Sequence, residues 1–204
     1  MNTQPTTCIL LCGCDPDRPD YGGPGYDCPD RLTWVGVEGI PRFVTALDEQ
    51  AQARGEARPS IIWCVRSDLQ MHQVHGDCAW PFRRFERMWR ELEAAGDEIA
   101  WHPHLWRWSD RHGCWYQESE DADWIERCLR DGYEAICEAH GEKLRSCRMG
   151  WEYHSDLTMS IINDLGIEVD LSATPVRARA AVADRGSVRH GELDWSITDA
   201  EPYH

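Results

Sequence analysis

Short apolar runs alternate with longer amphipathic segments along this 204-residue chain, and that alternation constrains the fold more than any other feature. The runs cover 7–14 (TCILLCGC), 60–65 (SIIWCV), 98–101, 144–148, 167–172 (IEVDLS) and 193–197 (LDWSI). Each is too short for a stable helix and, apart from the more polar 144–148, apolar enough for a buried strand. Between them, helical spacing takes over. From about Ile40, the residues Phe43, Val44, Leu47 and Ala51 share one face, and Gly55 marks a stop. Pro81 opens a segment over 81–96 with Phe82, Phe85, Trp89 and Leu92 in register, closed by Gly96. The segment 121–140 carries Ile125, Leu129, Tyr133 and Ile136, and Ser155 suits the N-cap of a last helix ending at Gly166.

Repeated strand–helix units with no internal repeat predict one α/β domain over 1–204 with a mainly parallel sheet. Functional groups in such folds sit in loops after the carboxyl ends of strands. CDPD follows the first run, HPH the third and RMGWEYH the fourth. One cleft is therefore expected to collect Asp15, Asp17, His102, His104 and Arg148.

Charge narrows the partners. There are 36 acidic residues against 21 basic ones, a net charge of −15, which repels phosphate backbones and anionic membranes. No nucleic acid or membrane partner is expected, and no run reaches the roughly 18 apolar residues of a membrane span. The opening MNTQPTTCILLCGC lacks the basic and apolar regions of a signal peptide. Of the ten cysteines, Cys8, Cys12, Cys64, Cys128 and Cys137 fall inside apolar segments, as reduced packed thiols of a cytoplasmic protein would. Cys8, Cys12 and Cys14 follow a C-x3-C-x-C spacing, and the chain has no CxxC, which argues against a thiol-rich structural metal site.

Histidines at i and i+2 of an extended segment point the same way, and Pro103 stiffens the backbone between His102 and His104. Two imidazoles and a carboxylate suit Zn²⁺, and also Co²⁺, Ni²⁺ or Fe²⁺, and three protein ligands leave room for water. The alternative is a pair of surface or hydrogen-bonded histidines. Asp15 and Asp17 share a side if the chain stays extended, so one can bind metal while the other serves as base. Alternatively, they only shape an Asx turn. Eleven tryptophans are present, and Trp101, Trp106, Trp108 and Trp115 crowd the histidines. Trp106 and Trp151 are the expected substrate-facing rings of a sugar platform, with core packing as the alternative.

GDEIAWHPHLWRW resembles the second motif of the polysaccharide deacetylases (the NodB-homology, carbohydrate esterase family 4 group), where a G-x-E-I-G/A-x-H strand delivers metal-binding histidines. CRMGWEYHSDLTMSIINDLGIEVDLSATP resembles that family's R-x-G … L-x-x-L-G-[IYF]-x-x-D-x-S segment, and CILLCGCDPD sits where the family has its first-strand aspartates. The match in order runs from about Thr7 to Ser196. The resemblance implies a distorted, incomplete (β/α) barrel holding a divalent metal on one Asp and two His. It implies removal of an acyl group, acetyl from an N-acetylated sugar, by metal-activated water. His102 then matches the first histidine ligand and His104 stands for the second. Arg148 matches the arginine that orients the catalytic Asp, and the family's order makes Asp15 the base and Asp17 the metal ligand. Departures from the pattern are CDPD in place of adjacent aspartates and an i, i+2 histidine pair in place of H-x-x-x-H, which would use Trp106. His190 is the one candidate for the late leaving-group histidine, and EPYH ends the sequence near where a final strand and helix are expected, as in a domain lacking its C-terminal end. A non-catalytic protein that binds a carbohydrate or a partner on the same fold is the alternative function.

Overall fold

In a computed structural model, which describes residues 9–17 and 32–173, the apolar runs become the strands of one parallel sheet. β1 (Leu10–Cys14) pairs with β2 (Ile61–Arg66), and β2 pairs with β3 (Glu98–His102). An antiparallel hairpin of β4 (Trp106–Ser109) and β5 (Cys114–Gln117) then interrupts the sheet. The sheet resumes with β6 (Ser146–Cys147) beside β3 and β7 (Val169–Asp170) beside β6. Sequential order with parallel pairing is what right-handed crossovers produce when every helix lies on one face of the sheet. A doubly wound sheet would instead reverse its order at a switch point. The fold is thus mixed α/β with a five-stranded parallel sheet among the described residues. The run at 193–197 lies outside the described residues.

The two faces of the sheet carry different side chains. Register aligns Cys14, Val65, Trp101 and Cys147 on one face, with Trp63 and Ile99 a step behind, and all six are buried in the main core. Trp63, Val65, Trp101 and Cys147 are 0% exposed, and burial of an apolar side chain is worth about 1.5–3 kcal/mol relative to leaving it in water. On the opposite face Gly13, Cys64 and Ala100 are aligned, all small. Arg66 and His102 are paired at the carboxyl end of that face. That face is thus small in the middle and polar at the carboxyl ends of the strands.

The helices are α1 (Val35–Glu38), α2 (Ile40–Ala53), α3 (Leu69–His75), α4 (Trp80–Arg84), α5 (Glu86–Ala94), α6 (Ala122–His140) and α7 (Asp156–Leu165). Asp121 caps α6 by accepting from Trp124 N, and Ser155 with Thr158 forms a capping box on α7. Tyr133 of α6 lies 5.3 Å from the Trp101 ring, tying the longest helix to the centre of the sheet.

Three features depart from the sequence expectation. The single helix over 81–96 is broken at Phe85 (φ −115°, ψ 21°), because its ring turns to pack 6.3 Å from Trp80 and 6.5 Å from Trp34. α3 was not expected; Asp68 starts it by accepting from Gln70 N and Met71 N. The hairpin was not expected either, and cross-strand contact of Trp108 with Trp115 at 5.4 Å closes it. The eight described cysteines are free, and no described helix is long and apolar enough to cross a membrane.

Candidate metal centre

Asp15 follows β1, His102 ends β3, and Arg148 follows β6, so three strands deliver their polar residues to one edge of the sheet. His102 Nε2 lies 3.3 Å from Asp15 Oδ2, and His104 Nε2 lies 3.2 Å from Asp15 Oδ1. The two Nε2 atoms are 3.2 Å apart, with the rings edge to face at 83°. Among the described residues this trio is the one group of potential ligands whose donor atoms all lie within 4.8 Å of one another. The i, i+2 spacing does place both rings on one side of the chain.

Protonation decides what the trio can do. His102 Nδ1 is 2.5 Å from the Arg148 carbonyl oxygen. A carbonyl can only accept, so Nδ1 donates to it, which leaves Nε2 as the ring atom that faces Asp15. His104 is pushed down to about 3, first by burial and then by the Arg66 charge, against the pull of Asp15, so it is neutral at pH 7. Burial works against ionisation of Asp15, but His102 and His104 outweigh it and hold the carboxyl well below its usual range. Asp15 also receives a hydrogen bond from Arg66 Nη1 at 3.1 Å. Two imidazole nitrogens and a carboxylate oxygen thus converge, one atom from each residue within 4.8 Å of the others. Donor atoms of a tetrahedral shell with bonds of roughly 2.0–2.1 Å stand about 3.3 Å apart; the two Nε2 atoms at 3.2 Å match that spacing, and one Asp15 oxygen completes a donor set of the zinc type.

The support around the trio uses residues that the sequence reading passed over. Arg66 is 2% exposed and is shared between Asp15, Asp68 Oδ2 (2.7 Å) and Gln70 Oε1 (2.8 Å). Asp68, 0% exposed, also accepts from the His104 amide at 3.1 Å, so one carboxylate fixes both Arg66 and the backbone of the second histidine. Burial opposes the charge on Arg66, yet Asp68 and Asp15 raise its pKa above the ordinary value. The signal lay in VRSDLQ, an arginine and a helix-capping aspartate at a strand end. Two glycines matter as well. A Cβ on Gly150 would lie 2.2 Å from the His104 ring, so this backbone is pressed against the imidazole. A Cβ on Gly13 would occupy the space bordered by Asp15 Oδ2 (3.4 Å), Arg148 Nη1 (3.8 Å) and His102 Nε2 (3.9 Å).

The other expected site residues are placed as follows. Asp17 is not beside the histidines in any described contact; its carboxylate accepts from the amides of Val35 and Gly36 and from the Thr33 hydroxyl. Its backbone also bridges to Thr33. Asp15, rather than Asp17, meets His102 and His104. Arg148 borders the space beside Gly13, and its Nη2 pairs with Glu152 Oε1 at 2.9 Å. Trp106 is 4% exposed and lies parallel to the His104 ring at 6.0 Å, as a wall behind it. Trp151 is half-buried and meets Trp106 edge to face at 5.7 Å. Trp151 and Glu152 both hold positive φ, 59° and 58°, a strained backbone that the loop after β6 sustains.

No family model matches the chain, and no curated protein matches it. Among solved structures, it is similar to a mutant CE4 family pseudoenzyme with restored enzymatic activity, at 14% identity and a TM-score of 0.43. That likeness covers 66% of this chain and 39% of the other, so the chain spans well under half of that protein's length.

Proposed function

We propose that this protein is a metal-dependent hydrolase of the polysaccharide deacetylase type, removing an acyl group such as the acetyl of an N-acetylated sugar. The observation that carries the reading is the convergence of Asp15 with the Nε2 atoms of His102 and His104, the first ring held through Nδ1 by the Arg148 carbonyl so that Nε2 is directed inward. Asp15, His102 and His104 would hold the ion, so Asp15 takes the ligand role that the sequence resemblance gave to Asp17. Zinc is the ion that the ligands suit best, with cobalt, nickel or iron as alternatives. Such an ion supplies Lewis acidity toward an acyl carbonyl and a nucleophile from water at neutral pH.

The chain's own residues do the rest. Arg66 and Asp68 hold Asp15 and the His104 backbone in place, which limits reorganisation on ion binding. Arg148 brings positive charge to the space beside Gly13, where charge developing on an acyl oxygen is stabilised. Trp151 offers a half-open aromatic edge at the rim for an apolar sugar face.

A second reading, a carbohydrate- or partner-binding protein without catalysis, is favoured by one observation. Asp17 is committed to the amides of Val35 and Gly36, so the second carboxylate expected to serve as base is engaged elsewhere. Metal analysis together with hydrolysis of N-acetylated oligosaccharides separates the two. Zinc binding with acetate release, both lost in His102→Ala, supports the enzyme. Zinc binding or sugar binding with no acetate release supports the second reading, and a wild-type protein that takes up no divalent ion removes the metal centre.

A further inference from the structure

We infer that Ser172 and Asp170 are positioning residues for His102, acting through the single peptide unit that joins Arg148 to Met149. This rests on the reading of Asp15, His102 and His104 as a metal centre. The carbonyl of that peptide accepts from His102 Nδ1 at 2.5 Å. Its N–H, on Met149, donates to Ser172 Oγ at 2.8 Å. Ser172 Oγ in turn donates to Asp170 Oδ1 at 2.5 Å, and Ser172 N donates to the same oxygen at 2.9 Å. The other oxygen, Asp170 Oδ2, lies 2.7 Å from His154 Nε2. One peptide plane is therefore gripped at both ends, by an imidazole on one side and a hydroxyl–carboxylate pair on the other.

The direction of each bond follows from the groups. Asp170 takes the single hydroxyl proton of Ser172, which turns the serine lone pairs toward Met149 N. An N–H that donates into a good acceptor polarises its own peptide, so the Arg148 carbonyl becomes the stronger acceptor for His102. Ser172 and Met149 are both 0% exposed, so water cannot replace the hydroxyl if it is removed. Strand pairing holds the parts together, since Leu171 N donates to Cys147 O at 2.8 Å and Arg148 N donates to Trp101 O at 2.9 Å. The result is a rigid path from β7 to the ring of His102 that selects the tautomer with Nε2 free for an ion. Ser172 and Asp170 touch no ligand directly; they act by aiming a carbonyl.

The test reads the ring itself. The metal-free protein labelled with ¹⁵N-histidine is examined by two-bond ¹H–¹⁵N correlation, and zinc affinity is measured by chelator competition. In the wild type, His102 should carry its proton on Nδ1. Ser172→Ala should shift the His102 nitrogen signals toward averaged tautomers and weaken zinc binding by about 10- to 100-fold. Ser172→Thr, which keeps the hydroxyl, should return both readouts toward wild type. Asp170→Asn preserves side-chain volume and should move the ring signals in the same sense with a smaller affinity loss, and it carries the test alone if Ser172→Ala does not fold. His102 signals at their wild-type positions in every folded variant of Ser172→Ala and Asp170→Asn overturn the inference, whatever the affinity does. A wild-type chain that binds no zinc overturns the metal-centre reading instead, and the ring signals still decide whether the relay exists.

Discussion

His102 Nε2 and His104 Nε2 stand 3.2 Å apart, each within 3.3 Å of a different oxygen of Asp15. Two imidazoles and a carboxylate meet this closely only when a proton or a cation relieves the repulsion of their lone pairs.

Removing any one of the three donors should therefore abolish tight metal binding. After equilibration with zinc and dialysis, Asp15→Ala, His102→Ala and His104→Ala should each retain less than about a tenth of the wild-type metal, because two ligands make a poor zinc site. Asp17→Ala should keep its metal and lose about 1 kcal/mol of stability, since its carboxylate accepts from Val35 N and Gly36 N as a capping group does. Elemental analysis of the four variants is the measurement. Full metal content in the first three would end the proposal, and loss only in Asp17→Ala would restore the ligand order that the sequence resemblance implied.

Two glycine substitutions should behave differently. Gly150→Ala places a methyl 2.2 Å from the His104 ring, so either the ring or the loop must move, at a cost of about 1–3 kcal/mol and with weakened zinc binding. Gly13→Ala meets its nearest atom at 3.4 Å, an ordinary contact, so the fold should tolerate it. It fills the space shared by Asp15, Arg148 and His102, and hydrolysis should fall while thermal stability stays within about 0.5 kcal/mol of wild type. Equal thermal stability of the two variants would contradict the packing described here.

Asp68 should couple stability to metal affinity. Asp68→Asn keeps the shape but removes the charge that pairs with Arg66 at 2.7 Å and weakens the grip on the His104 amide. Breaking a buried pair on one side costs about 3–5 kcal/mol. Urea unfolding and chelator competition, run on the same sample, check it. A loss of stability with unchanged zinc affinity would show that Asp68 serves the fold alone.

Stability should fall in acid through Asp97. Its side chain is fully buried and is held by Arg58 Nη1 (2.6 Å), Trp63 Nε1 (2.9 Å) and Ile61 N (3.0 Å). Burial resists its ionisation, but Arg58, Trp63 and Ile61 prevail and lower its pKa. A carboxyl lowered on folding stabilises the protein above its unfolded pKa of about 3.9, and that contribution is lost as pH drops through the folded value. Urea midpoints should therefore be level near neutrality and decline below about pH 4. In Asp97→Asn the midpoint should be lower throughout and the acid slope shallower. An unchanged slope would assign the acid sensitivity to other carboxylates.

The α/β class and the parallel sheet were legible because strand-length apolar runs and helical stripes alternate, and each pattern is set locally. The break at Phe85 was not, since helical spacing continues through it and only the aromatic contacts with Trp34 and Trp80 turn the residue away. α3 was hidden by its brevity and polarity, although Asp68 ahead of it is an ordinary cap. Of the site, the histidine pair was readable from its i, i+2 spacing, which puts both rings on one side of an extended chain.

Sequence by itself determined which residues are able to bind a cation and which strand ends present them, because residue chemistry and backbone periodicity are local. Tertiary structure alone decided which aspartate joins the histidines. Asp15 and Asp17 are equivalent in a linear reading, yet the amides of Val35 and Gly36 capture Asp17, while Arg66 and the β1–β2–β3 register hold Asp15 against His102 and His104. Those partners lie 18 to 89 positions away along the chain. Only packing brings them within reach.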